Sequence, residues 1–300
     1  MKISLIDGVY YIPVMKQKRT LVSFDWAAKN LLRRKANYVI LEGFLTTLLG
    51  KDIKIKTIKD SESNKDAQEQ KYNRVDIIAE EENGALTIIE LQFTPEIDYF
   101  HRMLFGSSKA VTEYLSKGMS YSMVRKVYSI NIVYFDLGVG KDYIYHGTTN
   151  FKGLHYNDEL KLSPSQKEEF ARIEIKDIYP EFYLLKVDRF NNDVKDKLDE
   201  WMYLFKNSAV EPDFKAPGLM EASETLEYCN LSPEEQERYD KYVDIRRSNE
   251  SSLHTAKLEG RIEGSAETQR KIAKEMKIDG FAIPKIAKIT GLSEEEIGKL

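Results

Sequence analysis

The sequence predicts an α/β fold, a mixed central sheet flanked by helices, with a helical appendage at its C-terminal end. Three observations carry this. Two β-branched runs, Arg74–Ala79 and Leu86–Phe93, flank an Asn83-Gly84 turn signal and spell a β-hairpin. Both runs are apolar almost throughout, as strands covered on both faces are. A third unbroken β-rich run spans Lys126–Leu137, and segments with helical spacing of apolar residues stand before, between and after these strands.

The elements follow in order. Residues to about 22 are extended and basic, with Lys16, Lys18 and Arg19 clustered, either as an arm on phosphates or as a solvated terminus. Ser23 and Asp25 are N-cap residues for an amphipathic helix over about 25–35 carrying Trp26, Leu31 and Leu32. A second helix, about 37–50, shows Ile40, Phe44, Leu45 and Leu48 at helical spacing and Gly50 as its stop. Asp52–Ile58 alternates lysines with apolar residues and reads as a strand near an edge; the polar stretch 60–71 is a loop before the hairpin. After Pro95 a helix is expected over about 98–117, buried through Met103, Leu104, Val111 and Leu115. Tyr143–His146 and 170–178 supply further strand material. From Pro180 the chain turns acidic and helical, over 190–206 and about 219–248, with a helix-start signature at Leu231-Ser232-Pro233-Glu234-Glu235. The expected division is therefore a core over 1–180, a helical extension over 181–250 packed on it, and a tail over 251–300. In that tail a charged helix is interrupted by Gly260 and Gly264, and two short helices join at Thr290-Gly291-Leu292 like a helix-turn-helix. Glutamates 294–296 open the second short helix, which argues for interaction or oligomerisation rather than DNA readout.

Into the buried hairpin the sequence sets Asp76, Glu90 and Gln92. A buried carboxylate is costly unless a cation or metal compensates it. With a two-residue Asn83-Gly84 loop, Asp76 would face Leu91. With a three-residue loop and Gly84 left-handed as a bulge, Asp76 lies opposite Glu90 and Gln92 shares their face. The second register is expected, and it gathers oxygen donors suited to a hard divalent cation. Strand carboxylates near a sheet end also reach solvent with no chemical role, and spacing alone does not separate the two cases.

Several separated motifs do. The chain resembles the PD-(D/E)XK nuclease superfamily, in particular Rpn-type recombination-promoting nucleases and transposases. The resemblance lies in Glu90-Leu91-Gln92, in Phe24–Lys29 and Leu41–Leu45 upstream, and in Tyr99–Arg102, Tyr145–Thr149 and Ile286–Ser293 downstream. It implies a restriction-endonuclease-like αβββαβ core and a metal-dependent DNA endonuclease. Asp76 and Glu90 would ligate Mg²⁺, or Mn²⁺ in its place, and Gln92 would position water or complete the ligand shell. It also suggests Glu42 as a third metal-site carboxylate; a solvent-facing glutamate is the alternative. Gln92 is neutral where the superfamily has lysine, so Arg102 is the candidate replacement cation, a phosphate contact or structural ion pair being its alternatives. Lys16, Lys18, Arg19 and Lys109 are the candidate DNA contacts. Gln92, and Val75 where the motif has proline, leave open a second class: a DNA- or protein-binding module that keeps the fold without catalysis.

Composition is compatible. A chain of 300 residues with 42% hydrophobic content can bury a core, and its net charge of −4 hides an uneven distribution. Residues 1–60 carry +7 and 99–150 carry +3, either side of −7 over 61–98. Basic walls around an anionic centre suit a nuclease, although solvated helix faces give similar counts. The single cysteine, Cys229, forms no intrachain disulfide and no Cys-based zinc site. No apolar run approaches a membrane span and the N-terminus lacks a signal-peptide core, so a cytoplasmic location with no membrane partner is expected. P-loop, GxGxxG, nucleophile-elbow and HExxH motifs are missing.

Overall fold

The hairpin forms in the register that gathers its polar residues. Strand β4 (Arg74–Glu81) pairs antiparallel with β5 (Leu86–Gln92), setting Asp76 against Glu90 and Glu80 against Leu86. Gly84 sits at φ +85°, where an L side chain is strained, and its N–H donates to the Glu81 carbonyl at 2.9 Å. Asn83 completes the turn by accepting from the Ala85 N–H at 2.8 Å. Every residue of β5 is buried. In this computed structural model the described residues are 4–6, 9–11, 21–60, 74–115, 119–170, 172 and 174–300, with side chains described for 21–59 and from 77 onward within them. Lys16, Lys18, Arg19 and, apart from Asp60, the loop expected over 60–71 lie outside them.

The chain divides into two units, Met1–Tyr239 and Asp240–Leu300. In the first, Ser4–Ile6 (β1) and Val9–Tyr11 (β2) form a small hairpin. The helices Phe24–Asn30 (α1) and Tyr38–Leu49 (α2) follow, then Ile55–Asp60 (β3), the central hairpin, Tyr99–Glu113 (α3), Val127–Val133 (β6) and Ile144–Gly147 (β7). After Pro164–Phe170 (α4) comes Glu181–Lys186 (β8), then Lys197–Asn207 (α5) and Leu219–Thr225 (α6). The six-stranded sheet has the order β3-β4-β5-β6-β8-β7. Strands β5, β6 and β8 run parallel, and the flanking strands on either side are antiparallel.

Helix α3 covers one face. Tyr99 and Met103 pack with Val133, Phe135, Leu137 and Leu184, and Ala110 packs with Leu86, Ile88 and Val127. Ile77, Ala79, Ile89, Leu91, Ile130 and Ile132 fill the other face and are fully buried. There α1 runs against β4, and Phe24, Phe44, Trp201 and Phe205 lock α1, α2 and α5 together edge to face. Gly43 lets α2 and α6 meet: a Cβ there would come within 2.2 Å of the Pro217 carbonyl oxygen.

Three expectations need correction. The region 170–178 is no strand; it carries only a 3₁₀ turn at Ile175–Asp177. The strand is β8, beginning four residues past Asp177 and interior to the sheet, so the expected boundary at 180 cuts the core in two. Gly260 and Gly264 do not interrupt the charged helix: α7 runs unbroken from Pro233 to Ile278. Each glycine costs a helix roughly 1 kcal/mol relative to alanine, which flanking good helix formers absorb.

The start of α7 is capped as its sequence suggests. Ser232 donates from its backbone N–H and its hydroxyl to Glu235 Oε2, both at 3.0 Å, and Arg34 donates to Glu235 Oε1 at 2.5 Å. These bonds, the Ser232 amide first, hold the Glu235 carboxyl down at about 2 from its usual 4.5. The stabilisation is complete above pH 4.5 and lost as pH falls through about 2. Unfolding free energy should therefore drop more steeply across that window in wild type than in Glu235→Gln, by denaturant titration; identical slopes would remove the linkage.

In the second unit, Ile283–Thr290 (α8) and Glu294–Lys299 (α9) meet at the left-handed Gly291 and bury Ile286 and Ile297 against Ala273. The acidic opening of α9 has a local cause: Ser293 and Glu296 form a capping box, and negative charge suits a helix N-terminus. Among the described residues no helix is long and apolar enough to cross a membrane.

Candidate functional site

Glu90 and Gln92 project from β5 on the face that α3 covers, two residues apart on one strand. Glu90 retains 7% of its surface and Gln92 2%. The register pairs Asp76 with Glu90 across the hairpin and Asn131 with Glu90 from β6. The side chain of Asp76 lies outside the described residues.

The turn after β5 folds back over this pair. Gln92 Nε2 donates to the Thr94 carbonyl at 3.1 Å and to Glu96 Oε1 at 2.8 Å. Two acceptors fix that end of the amide as the NH₂ group, so Oε1 points the other way. It is buried and has no hydrogen-bond partner among the described residues. From the first turn of α3, Arg102 reaches back with Nη1 on both Glu96 oxygens, at 2.6 and 2.7 Å, and Nη2 at 2.6 Å from Glu90 Oε1. One guanidinium thus compensates both carboxylates, through an ion pair with the buried Glu90 and hydrogen bonds to both oxygens of the part-exposed Glu96. Behind it Tyr99 donates to Asn131 Oδ1 at 3.3 Å, and Asn131 Nδ2 donates to the Ser129 carbonyl at 3.1 Å.

Sequence reasoning did not single out Glu96 or Asn131, and Tyr99 entered it only as part of the Tyr99–Arg102 motif, with no role at the site. Glu96 holds both Gln92 and Arg102, and its signal was slight: an acid just past a strand-ending Thr-Pro turn, six residues before an arginine. Asn131 is a lone amide in the middle of an apolar strand, a burial that demands partners.

Glu42 is not brought to this group. Its Oε1 accepts the Ile55 N–H at 2.8 Å and its Oε2 lies 3.3 Å from Lys54 Nζ, so it satisfies the first amide of β3. Ile55 pairs with Glu81, five residues along β4 from Asp76, or about 16 Å at strand rise. The alternative of a freely solvent-facing glutamate fails as well, since both oxygens are engaged. Lys109 lies about 10 Å further along α3 than Arg102 and pairs with Glu113 at 3.3 Å, half exposed. His101 is exposed.

Among the described residues no three of His, Cys, Asp and Glu group so as to hold a metal ion. A divalent cation nevertheless fits the donors present. Glu90, Gln92 Oε1 and the cross-strand position of Asp76 make an all-oxygen set of the kind magnesium and manganese take, and Gln92 Oε1 is a buried acceptor lacking a donor among the described residues.

A family model described as PD-(D/E)XK nuclease family transposase matches residues 22–256. Searches of curated proteins and of solved structures gave no match.

Proposed function

The chain belongs to the PD-(D/E)XK nuclease family of transposases, and we propose that it is a metal-dependent DNA endonuclease whose centre is Asp76, Glu90 and Gln92. The observation that carries this is the cross-strand pairing of Asp76 with Glu90, with the buried carbonyl oxygen of Gln92 beside them. Asp76 and Glu90 would hold Mg²⁺ or Mn²⁺, with Gln92 Oε1 as the neutral ligand. When bound, the ion lowers the pKa of water and offsets charge on the phosphate.

The protein's own residues do the positioning. Glu96 and the Thr94 carbonyl lock the Gln92 amide, so its oxygen presents one direction to the site. Arg102 stands where a cation can face the extra negative charge of a pentacovalent phosphate, a role the uncharged Gln92 cannot fill. Glu96 keeps that guanidinium from swinging out to solvent, because it ties Nη1 with both oxygens.

The 2.6 Å approach of Arg102 to Glu90 favours a second reading, in which the carboxylate is already compensated and the fold serves only to bind. Cleavage separates the two. Supercoiled plasmid should be nicked or linearised in Mg²⁺ or Mn²⁺ and left intact in EDTA. Cutting that persists in EDTA would refute a metal centre. Intact duplex and single-stranded DNA with both ions would leave the binding module.

A further inference from the structure

We propose that Lys56, Lys59 and Arg125 form a phosphate clamp that seats the nucleic-acid backbone beside Glu90, on the same face of the sheet. This rests on the nuclease reading and adds residues that its chemistry does not use.

All three cations converge on one carboxylate. Lys59 Nζ lies 3.0 Å from Glu80 Oε2, and Lys56 Nζ and Arg125 Nη1 lie 3.3 and 3.4 Å from Glu80 Oε1. Lys59 and Arg125 also share the ring of Tyr114, the residue that caps the C-terminal end of α3, at 4.3 and 5.6 Å from its centroid. Glu80 is 7% exposed and its carboxyl is held at about 2, so it stays ionised and anchors the cluster. Among the described residues, one anion among three cations leaves a surplus of two positive charges. Their outward ends are open: the Lys56, Lys59 and Arg125 side chains are 63%, 39% and 35% exposed.

The fold builds this convergence. Residues 56 and 59 would point to opposite faces of a regular strand, but the register shifts between Ile55 and Thr57, which frees Lys56 to reach the carboxylate that Lys59 reaches. Lys59 pairs with Ile78, and Glu80 lies two residues further along β4. They stand two and four residues from Asp76, or roughly 7 and 13 Å at strand rise. At about 3.4 Å of axis per nucleotide, that is two to four nucleotides from the site along one strand. By contrast, among the described residues Lys54 and Lys109 each have a single carboxylate partner, Glu42 and Glu113, and no surplus.

The test is the salt dependence of duplex binding by fluorescence anisotropy, in EDTA so that no strand is cut. The variants are K56Q/K59Q/R125Q, the same with Glu80→Gln so that no lone carboxylate remains buried, and a control K161Q/K167Q/K176Q. Wild type should bind with a log–log slope that both clamp variants reduce by about 2, at ~0.9 for each phosphate no longer neutralised, while the control does not. An unchanged slope in a folded Glu80→Gln combination would overturn the clamp and leave the nuclease reading standing. An equal reduction in the control would overturn it too, by showing a diffuse charge effect. Wild type that binds no duplex at any salt, yet cuts in Mg²⁺, would also overturn it; wild type that neither binds nor cuts would remove both readings.

Discussion

Asp76→Ala and Glu90→Gln should each lower Mg²⁺-dependent plasmid cleavage by about 10²–10³-fold, the loss expected when one preorganised electrostatic element of a hydrolytic site is removed. Glu42→Gln, by contrast, should keep cleavage within a few-fold. The contrast follows from position. Asp76 and Glu90 are cross-strand neighbours, whereas Glu42 is tied to the Ile55 N–H about 16 Å along the sheet. All three variants should first be shown to fold by circular dichroism and thermal melting. Glu90→Gln keeps the shape of the side chain and leaves Arg102 bonded to both oxygens of Glu96, so its stability should fall only slightly. Cleavage surviving in Asp76→Ala would mean that the centre lies elsewhere or that a contaminant cuts. A large loss in folded Glu42→Gln would return that carboxylate to the chemistry.

Why Asp76 and Glu90 could be paired from the sequence, and Glu42 could not, is a matter of range. A hairpin register is local: Asn83-Gly84 selects the turn, the turn selects the loop length, and period-two alternation does the rest. The helix-start signature at Ser232 is local in the same sense. Glu42 sits on a helix whose rotation about its axis is decided by what α5 and α6 bring to it, through Gly43 against Pro217 and Phe44 against Trp201. No spacing rule carries that information. Strand β8 escapes a sequence reading for a related reason. Its apolar run Phe182-Tyr183-Leu184-Leu185 is short, follows a proline and precedes acidic helices, so composition places it outside the core. Tertiary pairing with β6 and β7 makes it an interior strand. Lys56 is the clearest case: a one-residue register shift, invisible to alternation, determines which face its charge serves.

Arg102→Met should destabilise the protein strongly in EDTA and much less in Mg²⁺. Arg102 touches Glu90, 9% exposed at its side chain, and Glu96, 29% exposed. Removing one partner of such a group leaves a carboxylate in a dry site, a loss of about 3–5 kcal/mol. For a unit of this size, each kcal/mol moves the melting temperature by roughly 2–4 °C, so the loss should be plain in a thermal scan. Methionine keeps much of the arginine stem's volume, so the effect reports charge rather than a cavity. If Glu90 and Asp76 hold a divalent ion, that ion replaces the missing cation, and at about 100 times its dissociation constant it returns about 2.7 kcal/mol. Wild type should gain less from the same Mg²⁺, because there Arg102 already stands against Glu90. A double variant with Glu90→Gln closes the cycle: with the carboxylate gone, the loss in EDTA shrinks and the Mg²⁺ response weakens. Equal Mg²⁺ shifts in wild type and Arg102→Met would show that the ion does not bind where Arg102 stands. Undiminished stability of Arg102→Met in EDTA would show that the guanidinium is not what makes Glu90 tolerable inside the fold.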